Sequence, residues 1–173
     1  MRTETIVQNR TLDEGQQRRH HCGERQKGCG EMRYLLDTNV FIDIISDDYI
    51  SKDVQAILDD SDNVFYLSSE SIKEFVHLLQ NGKITIPEQY RTQGFELFPF
   101  IEETLGIVIK YVAKEHLVTY WTMPVVEDHN DPSDRLIIAQ AITERMPLIS
   151  SDTKFRKYRK LYPMFELVFN TKK

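Results

Sequence analysis

From Met32 onward, short apolar runs of strand length alternate with segments whose apolar residues recur at helical spacing. Arg33-Tyr34-Leu35-Leu36 reads as a buried strand, Asp37-Thr38-Asn39 as a polar turn, and Val40 to Ile45 as a short helix. Val54, Ile57 and Leu58 share one face of a second helix over Lys52–Asp60, and Asn63–Leu67 is the next strand. Ser68 and Ser69 then cap a helix carrying Ile72, Phe75, Val76 and Leu79 up to Asn81-Gly82. Pro87–Thr104 is expected to be helical through Phe95, Leu97, Phe98 and Ile101, with a break at Pro99. Gly106–Ile109 is a third strand, Val112–Trp121 a helix, and Pro147–Ile149 a fourth strand. Phe165–Phe169 is a fifth at the sheet edge. Alternation of this kind implies an α/β domain with a mostly parallel sheet and helices on both faces.

The 173 residues suffice for one domain with a substantial core. Residues 1–31 differ in kind: they are polar, rich in Gln, Arg and Gly, and without periodicity. We expect a disordered tail or an upstream extension, with the domain proper at 32–173. Cys22 and Cys29 both fall in that tail, so no disulfide framework is expected. Beside them, His20-His21 matches no usual structural zinc spacing. No apolar run approaches the roughly 20 residues that span a bilayer, and no secretory layout opens the chain, so a cytoplasmic protein without membrane association is expected. The formal net charge of −5 argues against nucleic-acid binding through a bulk positive field, but not against local binding.

The stretch His129-Asn130-Asp131-Pro132-Ser133-Asp134-Arg135 runs straight into the apolar Leu136-Ile137-Ile138-Ala139. Asp131 suits the N-cap of a helix and Pro132 its first position, where the missing N–H is not needed. Capping accounts for part of the acidity. It leaves unexplained why acidic residues recur at element ends: Asp37 after the first strand, Glu74 early in the helix after the second, Asp134 here, and Asp152 after the fourth strand. Ligand sites of open parallel sheets lie beyond the carboxyl ends of the strands. Gathered there, four carboxylates would raise one another's pKa values and would be stabilised by a hard divalent cation. Taken singly, each has a plainer reading as a turn former, a cap or a solvated helix residue.

Leu35-Leu36-Asp37-Thr38-Asn39, Ser68-Ser69-Glu70-Ser71-Ile72-Lys73-Glu74, the 129–141 stretch and Leu148-Ile149-Ser150-Ser151-Asp152 stand in an order that closely resembles the PIN-domain nucleases. The likeness is to the VapC-like ribonuclease toxins of type II toxin–antitoxin pairs, and it covers roughly Met32 to Asn170. It implies a three-layer PIN-like fold with a central, mostly parallel sheet of four to five strands. It also implies an endoribonuclease dependent on one or two Mg2+ or Mn2+ ions. The catalytic and metal-binding residues map onto Asp37, Glu74, Asp134 and Asp152, with Asp131 as a further member. Thr38 and Ser151 are candidate donors to these carboxylates, or simple turn residues. The implied partners are RNA and a cognate antitoxin seated along the helices at 40–60 and 68–80, with the toxin a homodimer or part of a toxin–antitoxin hetero-oligomer. Ser133 departs from the pattern, since related toxins often carry an aromatic residue there.

Lys154-Phe155-Arg156-Lys157-Tyr158-Arg159-Lys160 begins two residues after Asp152 and stands out in an acidic chain. Lys154, Arg156, Lys157, Arg159 and Lys160 would contact RNA phosphates while the interleaved aromatics stack on bases; alternatively, Phe155 or Tyr158 turns inward beneath a solvated face. Arg135 is expected to steady neighbouring carboxylates, and Trp121 to pack the loop leading to the acidic edge. His129 lies near enough to be a substrate contact, while His77 and His116 read as helix surface or core. Two rival functions remain. Asp37-Thr38-Asn39 faintly resembles the aspartyl nucleophile of haloacid-dehalogenase-type phosphohydrolases, but Asn39 stands where a second aspartate is needed. The other rival is a catalytically silent PIN-fold module that only binds and regulates a partner.

Overall fold

A computed structural model describes residues 32–87, 96–126 and 131–171. The N-terminal extension with its His-His-Cys stretch, Phe95 and His129 lie outside the described residues. Strands β1 (Arg33–Leu36), β2 (Val64–Ser68), β3 (Val108–Lys110), β4 (Leu148–Ser150) and β5 (Leu167–Phe169) form one sheet in the order β3-β2-β1-β4-β5. All four pairings are parallel. Helices α1 (Thr38–Ile45), α2 (Lys52–Leu58) and α3 (Ser69–Gln80) come from the first half of the chain. Helices α5 (Lys114–Thr122), α6 (Pro132–Glu144) and α7 (Arg156–Leu161) come from the second.

The strand alternation divides the core in two. Tyr34, Leu36, Phe65, Leu67 and Ile149 pack with α1, α2 and α3, where Phe41 meets Phe75 edge-on with ring centroids 5.2 Å apart. Leu35 and Leu148 point the other way and pack with Ile137, Ile138 and Ala141 of α6 and with Phe155, Tyr158 and Phe165. Successive strand residues alternate faces, so one short strand supplies both layers. The expected three-layer α/β architecture is what forms.

The largest departure lies between α3 and β3. Pro87 is not helical; among the described residues the helix here is α4 (Leu97–Pro99), which runs into a π-helical turn, Phe100–Thr104. Leu105 N–H bonds Phe100 C=O at 3.0 Å, five residues back. The turn widens right after Pro99, which has no N–H to donate. Phe100 and Ile101 are buried, whereas Phe98, ahead of the widened turn, is 47% exposed instead of facing the core. Trp121 is a second correction. It does not pack the loop after α5 but is 86% exposed, and Met123 fills the interior instead. No helix among the described residues is long and apolar enough to cross a membrane.

Candidate active site

Strand order decides where ligands can bind. From β1 the chain moves outward to β2 and β3 on one side, and from β4 to β5 on the other, so β1 and β4 flank the switch point. In open α/β sheets the crevice at that point, beyond the carboxyl ends, is the ligand site. Asp37 leaves the end of β1, and Asp152 follows β4. The two strand ends are joined by main chain too, Asp37 N–H donating to Ile149 C=O at 3.0 Å.

Two helix starts deliver the other carboxylates. Ser68 caps α3, its hydroxyl accepting from Glu70 N–H at 3.0 Å, and this sets Glu74 in the second turn. Asp131 caps α6, accepting from Ser133 N–H at 2.9 Å and Asp134 N–H at 3.4 Å, with Pro132 in the first turn as its fixed φ favours. Asp131 is itself exposed, whereas Asp134 is half-buried one turn in. Ser133, where an aromatic side chain was the family expectation, donates to Glu70 Oε1 at 2.7 Å, and Lys73 pairs with the same oxygen. A hydrogen bond thus ties α6 to α3 where a ring would have packed.

Hydroxyls hold the innermost carboxylates. Asp37 is 1% exposed; its Oδ1 accepts from Thr38 N–H at 2.8 Å and its Oδ2 from Ser150 Oγ at 2.7 Å. Thr38 Oγ1 donates to Glu74 Oε2 at 2.7 Å, as a donor role for Thr38 requires. The other carboxylate donor, however, is Ser150 and not Ser151. Ser150 also accepts the Asp152 N–H at 3.0 Å, whereas Ser151 Oγ faces the Asn170 amide at 3.4 Å. Asp152 in turn caps the 3-10 turn Thr153–Phe155, accepting from Lys154 N–H at 2.8 Å.

The electrostatics record how near these groups stand. Burial pushes the Asp37 carboxyl up to about 7, with Glu74 and Asp152 adding repulsion against the lowering effect of Ser150 and Thr38. Burial likewise pushes Asp134 up to about 7, reinforced by Asp37, Asp131, Glu74 and Asp152. Among the described residues, no three Asp, Glu, His or Cys side chains are drawn together so as to hold a metal ion as they stand. Thr38 and Ser150 occupy oxygens of Glu74 and Asp37 instead. In kind, the donor set is all carboxylate and hydroxyl oxygen around unbalanced negative charge, and that fits a hard divalent cation.

Other residues take different places from those expected. Arg135 turns away from the carboxylates: its guanidinium lies 4.7 Å from the centroid of the Tyr120 ring and donates to Met123 C=O at 3.2 Å. Aromatic neighbours and a free carbonyl give the cation a binding place inside the helical layer. His116 is buried, accepting from Ala113 N–H at 2.9 Å and lying 2.9 Å from Glu144 Oε1, so it is a structural residue. Phe155 and Tyr158 of the basic run are fully buried, which removes them as stacking surfaces. The apolar faces of α1 to α3 mostly serve the chain's own core, with Ile42, Ile57, Val76 and Leu79 only partly covered.

The comparisons agree with this architecture. The structure is similar to that of VapBC2 from Rickettsia felis bound to a DNA fragment from its promoter. That likeness has a TM-score of 0.56 at 19% identity, over 81% of this chain and 100% of that one. A further similar structure is VapBC-5 from Mycobacterium tuberculosis, a member of the VapBC family of toxin–antitoxin systems (TM-score 0.49, 16% identity, 79% and 98% covered). No curated protein sequence matches the chain. The family model of the PIN domain matches residues 34–161, from the first strand through the last helix and across every carboxylate at the switch point. On that match, this chain belongs to the PIN domain family.

Proposed function

We propose that this chain is a divalent-metal-dependent endoribonuclease, the VapC-like toxin of a toxin–antitoxin pair, acting in the cytoplasm on RNA phosphodiester bonds. The observation that carries the reading is the gathering of Asp37, Glu74, Asp134 and Asp152 at the switch point, where burial, reinforced by repulsion from neighbouring carboxylates, brings Asp37 and Asp134 to about 7. A structural role does not call for like charges crowded at a switch point; a cation site does. Asp37, Glu74, Asp134 and Asp152 would hold one or two Mg2+ or Mn2+ ions, with Asp131 at the rim. When bound, such an ion supplies positive charge and Lewis acidity to the phosphodiester. Thr38 and Ser150 keep the Glu74 and Asp37 oxygens in fixed orientations. In the ion-free chain Asp37 and Asp134 retain protons up to near neutrality, so ion binding is coupled to proton release.

The antitoxin part of the reading rests on the four VapC-like motifs and on membership in the PIN family. The antitoxin would cover Ile42, Ile57, Val76 and Leu79 and place an arginine among the carboxylates, within a homodimeric or hetero-oligomeric complex. The decisive experiment is cleavage of RNA with and without Mg2+ or Mn2+, comparing the parent with Asp37→Asn and Asp134→Asn. Cleavage that survives EDTA, or that neither substitution changes, would overturn the mechanism. No cleavage with any ion, alongside intact antitoxin binding, would mark a silent regulatory module.

A further inference from the structure

Helix α7 sorts the basic run by face. Phe155 and Tyr158 point into the core, while Arg156, Arg159 and Lys160, spaced by three and four residues, share the opposite face. That face and strand β5 enclose a half-open cavity of about 480 Å3, lined by Arg156, Arg159, Lys160, Leu167 and Phe169. Within it the Arg156 guanidinium lies 4.0 Å from the centroid of the Phe169 ring. Among the described residues no carboxylate is paired with any of the three cations. Three like charges around one cavity, in a chain of net charge −5, is an arrangement that an anion would stabilise.

We propose that this cavity is a nucleotide-binding subsite, taking one base and its phosphate from single-stranded RNA that lies across the carboxylate edge. The inference rests on the ribonuclease reading above and adds to it where the substrate is held. Its position carries much of the argument. Phe169 is the register partner of Ser150, and the Ser150 hydroxyl bonds Asp37. Neighbouring strands stand about 4.8 Å apart, so Phe169 on β5 lies one strand beyond Ser150 and two beyond the end of β1 that carries Asp37. RNA with a phosphate at Asp37 would reach the cavity by crossing those two strand ends.

The lining favours a nucleotide over an acidic peptide. A peptide carboxylate would use the cations, but it offers nothing flat to the plane formed by Arg156 and Phe169. A base stacks on a ring or a guanidinium, and the remaining cations take its phosphate. The volume falls within the usual range for ligand pockets. The aromatic partner is thus supplied by β5, outside the basic run itself.

The test is anisotropy of a fluorescein-labelled single-stranded RNA 12-mer titrated with the full chain carrying Asp134→Asn, at several salt concentrations. Replacing Arg156, Arg159 and Lys160 by Gln together should weaken binding at least tenfold. It should also lower the slope of log K against log salt by about 0.7, the value for one phosphate contact on a single strand. Phe169→Leu should weaken binding several-fold and leave the slope unchanged, and Phe169→Tyr should restore it. Circular dichroism melts of each variant verify folding. If the triple variant binds RNA with the parent's affinity and slope, and the same three substitutions on a chain that keeps Asp134 leave ion-dependent cleavage intact, the subsite is overturned and the nuclease reading stands. If the chain that keeps Asp134 neither binds nor cleaves RNA, both fall. If the variants lose only antitoxin binding, the cavity is a protein site and the proposal is wrong.

Discussion

Ser150, at the end of β4, donates a 2.7 Å hydrogen bond to the buried Oδ2 of Asp37, 113 residues earlier in the chain. The same hydroxyl oxygen accepts from Asp152 N–H, so one side chain links the ends of two adjacent strands and two acidic residues. Ser150→Ala should leave the Asp37 carboxylate short of a donor in a buried place and cost about 1–3 kcal/mol of stability. The lost bond had been lowering the Asp37 pKa, so the acid limb of the cleavage pH profile should move to higher pH. Cleavage should fall about 10- to 100-fold. Ser150→Thr, which keeps the hydroxyl, should retain most of both properties in urea melts and pH–rate profiles.

Asp134→Asn should abolish cleavage yet stabilise the ion-free protein. It removes a half-buried charge that Asp37, Asp131, Glu74 and Asp152 all repel. A gain of about 1 kcal/mol corresponds to a rise of about 2–4 °C in a domain of this size. Thermal melts in EDTA provide the measurement, and an unchanged or lower midpoint would count against the crowded-carboxylate account. Function and stability oppose one another at such a position.

The pH dependence has a definite sign. Asp37 and Asp134 are raised from 3.8 to about 7, so between those values the folded chain holds more protons than the unfolded one. The stability these groups contribute is fully present below 3.8 and is lost as pH rises through about 7. Bound Mg2+ or Mn2+ favours the ionised carboxyls, so its stabilising shift should grow from pH 5 to pH 8. Differential scanning fluorimetry with MgCl2 or EDTA across that range tests this. A shift of equal size at every pH would contradict it.

Glu144 predicts the opposite trend. Burial alone would raise its pKa, but Lys110 and His116, each 2.9 Å from Oε1, hold it below the ordinary carboxylate range. Its stabilising effect is therefore present above the unfolded pKa of 4.5 and lost as pH falls through the lower folded value. Glu144→Gln should cost about 1–2 kcal/mol at neutral pH and leave cleavage unchanged. Urea denaturation at pH 7 and pH 4 checks it, with a smaller difference between parent and variant at the lower pH.

Much of this molecule could be read in its residues because the signals are local. Strand and helix order followed from apolar spacing, and the α6 start followed from Asp131 and Pro132, whose cap geometry is set by neighbours within three residues. Local signals mislead where they compete with packing. Phe98 belongs to an apolar helical pattern, but it stands 47% exposed while Phe100, two residues on, is buried. Trp121 is expected to pack the loop leading to the acidic edge, yet it is 86% exposed and Met123 is the residue that is buried. Arg135 lies beside Asp134 in sequence, but helix geometry sends adjacent side chains in different directions, and Tyr120 receives it.

By itself the sequence determined the alternation of elements, the positions of the acidic residues at their ends and the likeness to the PIN family, which the match over residues 34–161 bears out. Tertiary structure alone decided the strand order that sets β4 beside β1, and with it the nearness of Asp37 to Ser150. It also decided which of the serines at 150 and 151 reaches the carboxylate, and that Phe169, not Phe155 or Tyr158, is the ring beside Arg156 of the basic run. The reason is physical. Local propensity and spacing act over a few residues, whereas strand neighbours, and which side chains they bring together, are chosen by burial of both sheet faces at once.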